Sequence, residues 1–217
     1  LRPPGSAPMT TLPPTELTRL DALAAIHHAF PSEPVVIALG TMVREMLLVA
    51  GRQPNHLHVL DAMGLVPAIT LGVAMSPNGA AHARVVGIEG DGGLLMGLSS
   101  IATIGATRPE NLVLIVLDNG AYAATGGQRT ASPHLDLAGM ARACGFQTHD
   151  IRTAAGLAVA MLDAKVRPGP WLLRVAIGPK NQAAPYFLPD PVELAIDFRR
   201  YLQVPVERRA NDESAST

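Results

Sequence analysis

"VVGIEGDGGLLMGLSSIATIGATRPENLVLIVLDNGAYAATGGQ" runs from Val85 to Gln128. Its first apolar run, completed upstream as Ala83–Glu89, breaks at Gly90-Asp91-Gly92-Gly93. Its second, Asn111–Leu117, breaks at Asp118-Asn119-Gly120. Between them "LLMGLSSIATIGA" (Leu94–Ala106) reads as one buried helix. A strand, a helix and a second strand in that order make a right-handed crossover with the strands side by side. Both polar breaks then fall at neighbouring strand ends, about 4.8 Å apart.

The same alternation extends in both directions. Upstream, a helix opens near Thr15 and buries Leu17, Leu20, Leu23, Ala24 and Ile26, stopping before Pro31. "PVVIAL" (Pro34–Leu39) is a strand closed by Gly40-Thr41, "MVREMLLVA" a helix stopped by Gly51, and "HLHVL" (His56–Leu60) a strand. "GLVPAITLGVAM" (Gly64–Met75) is apolar on all sides and reads as a buried helix with Pro67 in its first turn. Downstream of a glycine-rich loop come a helix (Asp136–Ala143), a strand (Phe146–His149), a helix (Ala154–Lys165), a strand (Pro170–Ala176) and a last amphipathic helix (Pro191–Leu202). The strands are unbroken runs of Val, Ile and Leu, the pattern of strands buried on both faces. The expected fold is α/β, a doubly wound parallel sheet with helices on both faces and ligands beyond the strand carboxyl ends. The ordered domain is expected over residues 13–203, with a disordered leader (1–12) and a disordered polar tail (204–217).

Composition narrows the function. A formal net charge of -1, with basic residues unclustered, gives no footprint for nucleic acid. A single cysteine, Cys144, excludes a disulfide framework and a chain-encoded iron–sulfur cluster, and fits a reducing, cytoplasmic setting. No apolar run is long and uncharged enough for a membrane span, and the N-terminus carries no secretory pattern.

The two breaks carry chemistry. Asp91 and Asn119 project hard oxygen donors from adjacent strand ends, suited to Mg²⁺ or Ca²⁺. Gly92 and Gly93 let backbone N–H groups approach a phosphate at a helix start. A Gly-Asp-Gly or an Asp-Asn-Gly alone is an ordinary turn. Two of them after two buried strands, with 25 residues from Gly93 to Leu117, read as one metal–diphosphate site.

That spacing resembles the thiamine diphosphate signature. "GTMVRE" (Gly40–Glu45), "DAMGLVPAITLGVAM" (Asp61–Met75), "GDGGLLMGLSSIATI" (Gly90–Ile104) and "LDNGAYAATGGQRT" (Leu117–Thr130) resemble, in order, the sulfopyruvate and phosphonopyruvate decarboxylase family. The resemblance runs from Thr15 to about Gly178. It implies the thiamine diphosphate-binding fold of the pyrophosphate type, with thiamine diphosphate and Mg²⁺ as cofactors. By the same likeness Asp91, the Asn119 side chain and the Ala121 carbonyl would bind the metal. Gly90, Gly92, Gly93, Leu94, Gly40, Thr41 and Tyr122 would line the diphosphate. Met63 would wedge under the bent cofactor beside Gly64, and the Asp61 carbonyl would accept from the aminopyrimidine.

Three positions depart from the family pattern. Asp61 and Gly93 stand where Gly and Ser are usual, and Asp118 replaces the first Asn of a common Asn-Asn pair. These enzymes activate the cofactor with a glutamate from a second domain. Glu45 and Glu89 are poorly placed for that, so the resemblance implies an α-type partner subunit carrying the glutamate. This chain would be the β subunit of a hetero-oligomer, acting on sulfopyruvate, phosphonopyruvate or a similar small-molecule 2-oxo acid. The alternatives are half of an acetolactate-synthase-like or transketolase-like enzyme, or a non-catalytic cofactor-binding regulatory subunit.

Other residues leave open readings. Tyr122, Thr125, Gln128 and His134 either line a substrate pocket or are plain loop residues. Arg44 either meets an anionic substrate or pairs with Glu45 or Asp21. Met42, Met46, Met75, Met96, Met140 and Met161 read as core. His27, His28, His56, His58, His82 and His149 show no metal spacing and read as solvated or satisfied. His56 and His58 share one strand face. Cys144 reads as a small buried residue.

Overall fold

Six parallel strands form one sheet, in the spatial order His56–His58, Val35–Ile37, Val85–Gly90, Leu112–Asp118, Trp171–Ala176, Gln147–Ile151. The computed structural model describes residues 17–178, 182–186 and 189–204. The expected leader, a helix start at Thr15 and the expected tail past Val204 lie outside them.

Helix α1 (Arg19–Ala29) is set by a capping box, in which Thr18 and Asp21 satisfy each other's backbone N–H. It leads to β1 (Val35–Ile37), α2 (Thr41–Ala50), β2 (His56–His58) and α3 (Val66–Met75). Pro67 does sit in the first turn of α3. Strand β3 (Val85–Gly90) passes into α4 (Asp91–Met96) and α5 (Ser99–Thr107), then β4 (Leu112–Asp118). A two-residue hairpin, β5 (Ala121–Tyr122) with β6 (Gln128–Arg129), precedes α6 (Leu137–Ala143) and β7 (Gln147–Ile151). The rest is α7 (Ala154–Val166), β8 (Trp171–Ala176) and α8 (Pro191–Gln203).

The expected parallel sheet is present, with β4 buried at all seven positions. Helices α3, α5 and α6 form one row, while α1 packs on α2 and α7. Gly87 in β3 lets α3 sit close, since a Cβ there would lie 2.4 Å from Thr70 Oγ1.

Two expectations are corrected. Leu94–Ala106 is two helices, parted at Gly97 and Leu98, and position 97 is held to glycine by the Gly64 carbonyl, which would lie 1.9 Å from a Cβ there. The Gly64–Met75 helix is not buried all round. Leu65 and Met75 are 50 % and 58 % exposed, and Met96 and Met140 also lie outside the core. Met42, Met46 and Met161 are buried as expected, and Cys144 is half-buried against the core.

Candidate cofactor site at the strand ends

Strand order turns back between β1 and β3, the switch point at which doubly wound sheets open a crevice. An open cleft lies there, lined by residues at and just beyond the ends of β1, β3 and β4. Its walls come from the end of β1 (Ala38, Leu39, Thr41), the end of β3 (Glu89–Gly93), the end of β4 (Leu117, Asn119) and the hairpin (Ala121–Thr125).

Gly90 pairs with Leu117 across β3 and β4, which sets Asp91 beside Asp118 and Asn119. The Asn119 backbone N–H bonds to the Asp91 carboxylate. Thr130 Oγ1 donates to Asp91 Oδ2 at 2.5 Å. Asn119 Oδ1 accepts from the Ala121 N–H at 3.0 Å, closing an Asx turn and leaving the amide oxygen a second lone pair. Burial, with Asp118 alongside, pushes the Asp91 carboxyl up to about 6. A divalent cation beside it would favour the charged form. The donor chemistry therefore fits a hard cation.

The glycines fit a cradle for a diphosphate. A Cβ on Gly92 would lie 2.4 Å from the Tyr122 ring, so the residue has to be glycine where backbone and ring meet. Gly93 faces Glu89, whose Oε1 would lie 2.2 Å from a Cβ. Burial pushes the Glu89 carboxyl up to about 7. Oε1 accepts from the Gly90 N–H at 2.9 Å, and the carboxylate also faces the N–H groups of Val66 and Gly64.

Behind this wall lies a buried network that links β4, β8 and β7. Asp118 Oδ1 accepts from the Gly120 N–H, and Oδ2 accepts from Ser132 Oγ and from Arg174. Arg174 also reaches Asp150 at 2.8 Å. Against the cost of burial, Asp118 and Asp150 hold the Arg174 guanidinium above its ordinary range.

The structure brings Thr41, Met63, Gly90, Asp91, Gly92, Gly93, Asn119, Ala121, Tyr122 and Thr125 to one cleft. Gly40 and Gly64 hold left-handed turns beside it, at φ 78° and 84°. Leu94 is core, so only its backbone is offered to the site. Asp61 is exposed at φ 54°, a conformation Asp tolerates better than most residues, and does not line the cleft. Gln128 accepts from Thr125 Oγ1 outside the lining, and His134 is exposed on a 3₁₀ turn, so neither is brought to the cleft. Arg44 contacts Thr41 Oγ1 rather than Glu45 or Asp21. Glu45 instead pairs with Arg19. Sequence reading missed Arg19, Thr130, Ser132 and Arg174. The hydroxyls of Thr130 and Ser132, just past the glycines of the loop, were a signal that could have been followed.

The histidine expectation is half corrected. His56 and His58 do share a face, but they are buried, and none of their ring nitrogens has a hydrogen-bond partner. Among the described residues no group of three His, Cys, Asp or Glu side chains could hold a metal, and no helix is long and apolar enough to cross a membrane.

A doubly wound sheet with a glycine cradle and hard oxygen donors at its switch point defines a strand-end cofactor-binding domain. The chain belongs to the thiamine pyrophosphate enzymes: residues 39–175 match the family described as "Thiamine pyrophosphate enzyme, C-terminal TPP binding domain". It is 37 % identical over 194 residues to the phosphonopyruvate decarboxylase of Streptomyces viridochromogenes, covering 87 % of this chain and 47 % of that protein. It thus spans about half the length of that relative and of its Streptomyces hygroscopicus counterpart. It is 34 % identical over 182 residues to the sulfopyruvate decarboxylase subunit beta of Methanothermobacter thermautotrophicus, covering 84 % of this chain and 94 % of that subunit. Benzoylformate decarboxylase from Polynucleobacter necessarius shares the fold, with a TM-score of 0.63 at 20 % identity, over 81 % of this chain and 36 % of that one.

Proposed function

We propose that this chain is the thiamine diphosphate-binding β subunit of a two-subunit decarboxylase acting on sulfopyruvate, phosphonopyruvate or a similar anionic 3-substituted pyruvate. The observation that carries it is the meeting of Asp91 and Asn119 at the switch-point cleft, in a chain that aligns with nearly all of a sulfopyruvate decarboxylase subunit beta. Asp91, the Asn119 amide oxygen and the Ala121 carbonyl would hold Mg²⁺, and Gly92, Gly93 and Leu94 would turn backbone N–H groups to the diphosphate. Gly40 and Thr41 would face it from the β1 side. Met63, on the cleft wall, would support the cofactor's bend, whereas Asp61, outside the lining, is not assigned a contact to it. When bound, thiamine diphosphate supplies a nucleophilic carbon and an electron sink for the loss of CO₂ from a 2-oxo acid. This chain's part is to anchor, orient and keep water from the buried end of the cleft. Tyr122, over Gly92, would shape the substrate side.

The activating glutamate would come from an α-type subunit, because Glu89 is turned onto its own backbone and Glu45 is tied to Arg19. A reducing cytoplasmic setting is in keeping with the lone Cys144. The test is co-expression with an α-type sulfopyruvate decarboxylase subunit and a panel of 3-substituted pyruvates. CO₂ release is expected with both chains, Mg²⁺ and thiamine diphosphate. Full-rate turnover by this chain alone would sink the two-chain reading. Unchanged thiamine diphosphate affinity in Asp91→Ala would sink the metal assignment.

A further inference from the structure

Arg19 is the single cationic side chain among the described residues that line the cleft. It is the first residue of α1, shares the lining with Ala38 and Leu39 just past β1, and is only 5 % exposed. Its Nη1 donates to Glu45 Oε1 at 3.1 Å, and Glu45, 1 % exposed, also accepts from the Gln182 N–H at 2.9 Å. The pair therefore fixes a guanidinium in the wall of the cleft that Thr41, Asp91 and Asn119 also line.

A buried ion pair is a weak way to gain stability, since apolar residues of similar volume often do as well or better. A guanidinium in a cleft wall has another use. Its planar fork matches the oxygens of phosphate-like anions, and it stays charged when desolvated. The rest of the charged lining, Glu89 and Asp91, is acidic, so an anion entering here needs a cation on the β1 side as well as any held by Asp91.

We propose that Arg19 is an oxyanion-binding residue of this cleft, held in position by Glu45, and that it takes a phosphate-, phosphonate- or sulfonate-type group. The inference rests on the function proposed above for its two sources: the cofactor's diphosphate, or the 3-substituent of the substrate.

Arg19→Met alone would strand the Glu45 charge, so the decisive variant is the double change R19M/E45Q, which removes both charges together. Arg19→Lys, which keeps the charge without the fork, is the second. Calorimetry on the full chain measures inorganic pyrophosphate, thiamine diphosphate and thiamine, each with Mg²⁺. Kinetics on the two-subunit complex compares sulfopyruvate and phosphonopyruvate with pyruvate. If the source is the cofactor, the double variant loses roughly ten- to a hundredfold in affinity for pyrophosphate and thiamine diphosphate, the worth of one charge-assisted hydrogen bond, while thiamine is unchanged. If the source is the substrate, KM rises by a similar factor for the two anionic pyruvates and not for pyruvate. In either case Arg19→Lys falls between wild type and the double variant. Wild-type behaviour of a folded R19M/E45Q protein in both arms would overturn the assignment and leave the pair a packing device. A wild-type chain that binds pyrophosphate through Arg19 but not thiamine diphosphate would support the assignment and sink the cofactor reading instead.

Discussion

Arg174 on β8 grips Asp118 at the end of β4 with two nitrogens, Nε at 2.9 Å and Nη2 at 2.8 Å, both on Oδ2. Asp118 is fully buried and stands beside Asp91. The wall of the cleft is therefore held by a charge pair two strands away from β1. Removing one partner of such a pair leaves the other uncompensated. Arg174→Met is expected to cost about 3–5 kcal/mol of folding stability, read by urea denaturation. Arg174→Lys, with one donor head in place of the fork, should recover part of it. A loss below about 1 kcal/mol, the scale of an exposed pair, would show that the pair is not dry.

Thr130 bonds Asp91 Oδ2 from a loop 39 residues away in sequence. A hydroxyl that orients a metal ligand typically matters tenfold to a hundredfold in metal affinity, by rough precedent. Thr130→Val keeps the shape and removes the donor. On the function proposed above, in which Asp91 holds Mg²⁺, the Mg²⁺ concentration needed to retain thiamine diphosphate should rise about tenfold, and Thr130→Ser should restore it. An unchanged Mg²⁺ requirement in Thr130→Val would show that Asp91 is held without the hydroxyl.

Gly93 and Gly97 make a contrasting pair. A Cβ at Gly93 collides with the Glu89 side chain, which can move, whereas one at Gly97 collides with the Gly64 carbonyl, which is backbone. Gly93→Ser should cost about 1–3 kcal/mol, the usual range for overpacking, and Glu89→Ala in the same chain should relieve it. Gly97→Ala should cost at least as much and find no relief in Glu89→Ala. Thermal melts of the four variants decide this, and relief at both positions would refute the assignment of the clashes.

Burial pushes His56 down to about 3 and His58 down to about 4, with His27 and Arg52 adding repulsion. Both are depressed relative to an ordinary imidazole, so the unfolded chain binds more protons than the folded one below about 6.5. Their contribution to stability is complete above that value and is lost as pH falls through 4 and then 3. Stability should drop by several kcal/mol across this window, an order-of-magnitude figure. His56→Phe should flatten the profile between pH 6.5 and 4, as followed by urea midpoints. An unaltered slope would mean that His56 takes up its proton in the fold as readily as in the unfolded chain.

Much of this was legible before any coordinates. Unbroken runs such as Leu112–Leu117 announce a strand buried on both faces, and Gly90-Asp91-Gly92 after one such run marks a strand end turned to chemistry. What escaped reading depends on partners distant in sequence. Position 97 is held to glycine by the Gly64 carbonyl, a contact that no local pattern shows. Arg174 lies within an apolar strand and gains its role from Asp118 and Asp150, 56 and 24 residues earlier. The β5–β6 hairpin has two residues per strand, too few for any periodicity, and is closed by Gly127 at φ 69°. His56 and His58 read as solvated or satisfied, and their burial comes from elements far in sequence: α8 packs on β2, and the His27 ring of α1 lies 5.7 Å from that of His56.

That hairpin also sets a dimension. Ala123 and Ala124 line the cleft, and Ala124 comes within 3.3 Å of where a Cβ of Gly40 would lie. Where the β4 loop faces the end of β1, the width is defined by methyl groups and a hydrogen, not by charges. Volume alone can therefore tune what the cleft admits. Enlarging Ala124 would narrow the passage while leaving Asp91, Asn119 and Arg19 untouched, which makes steric sieving separable from anchoring in this fold.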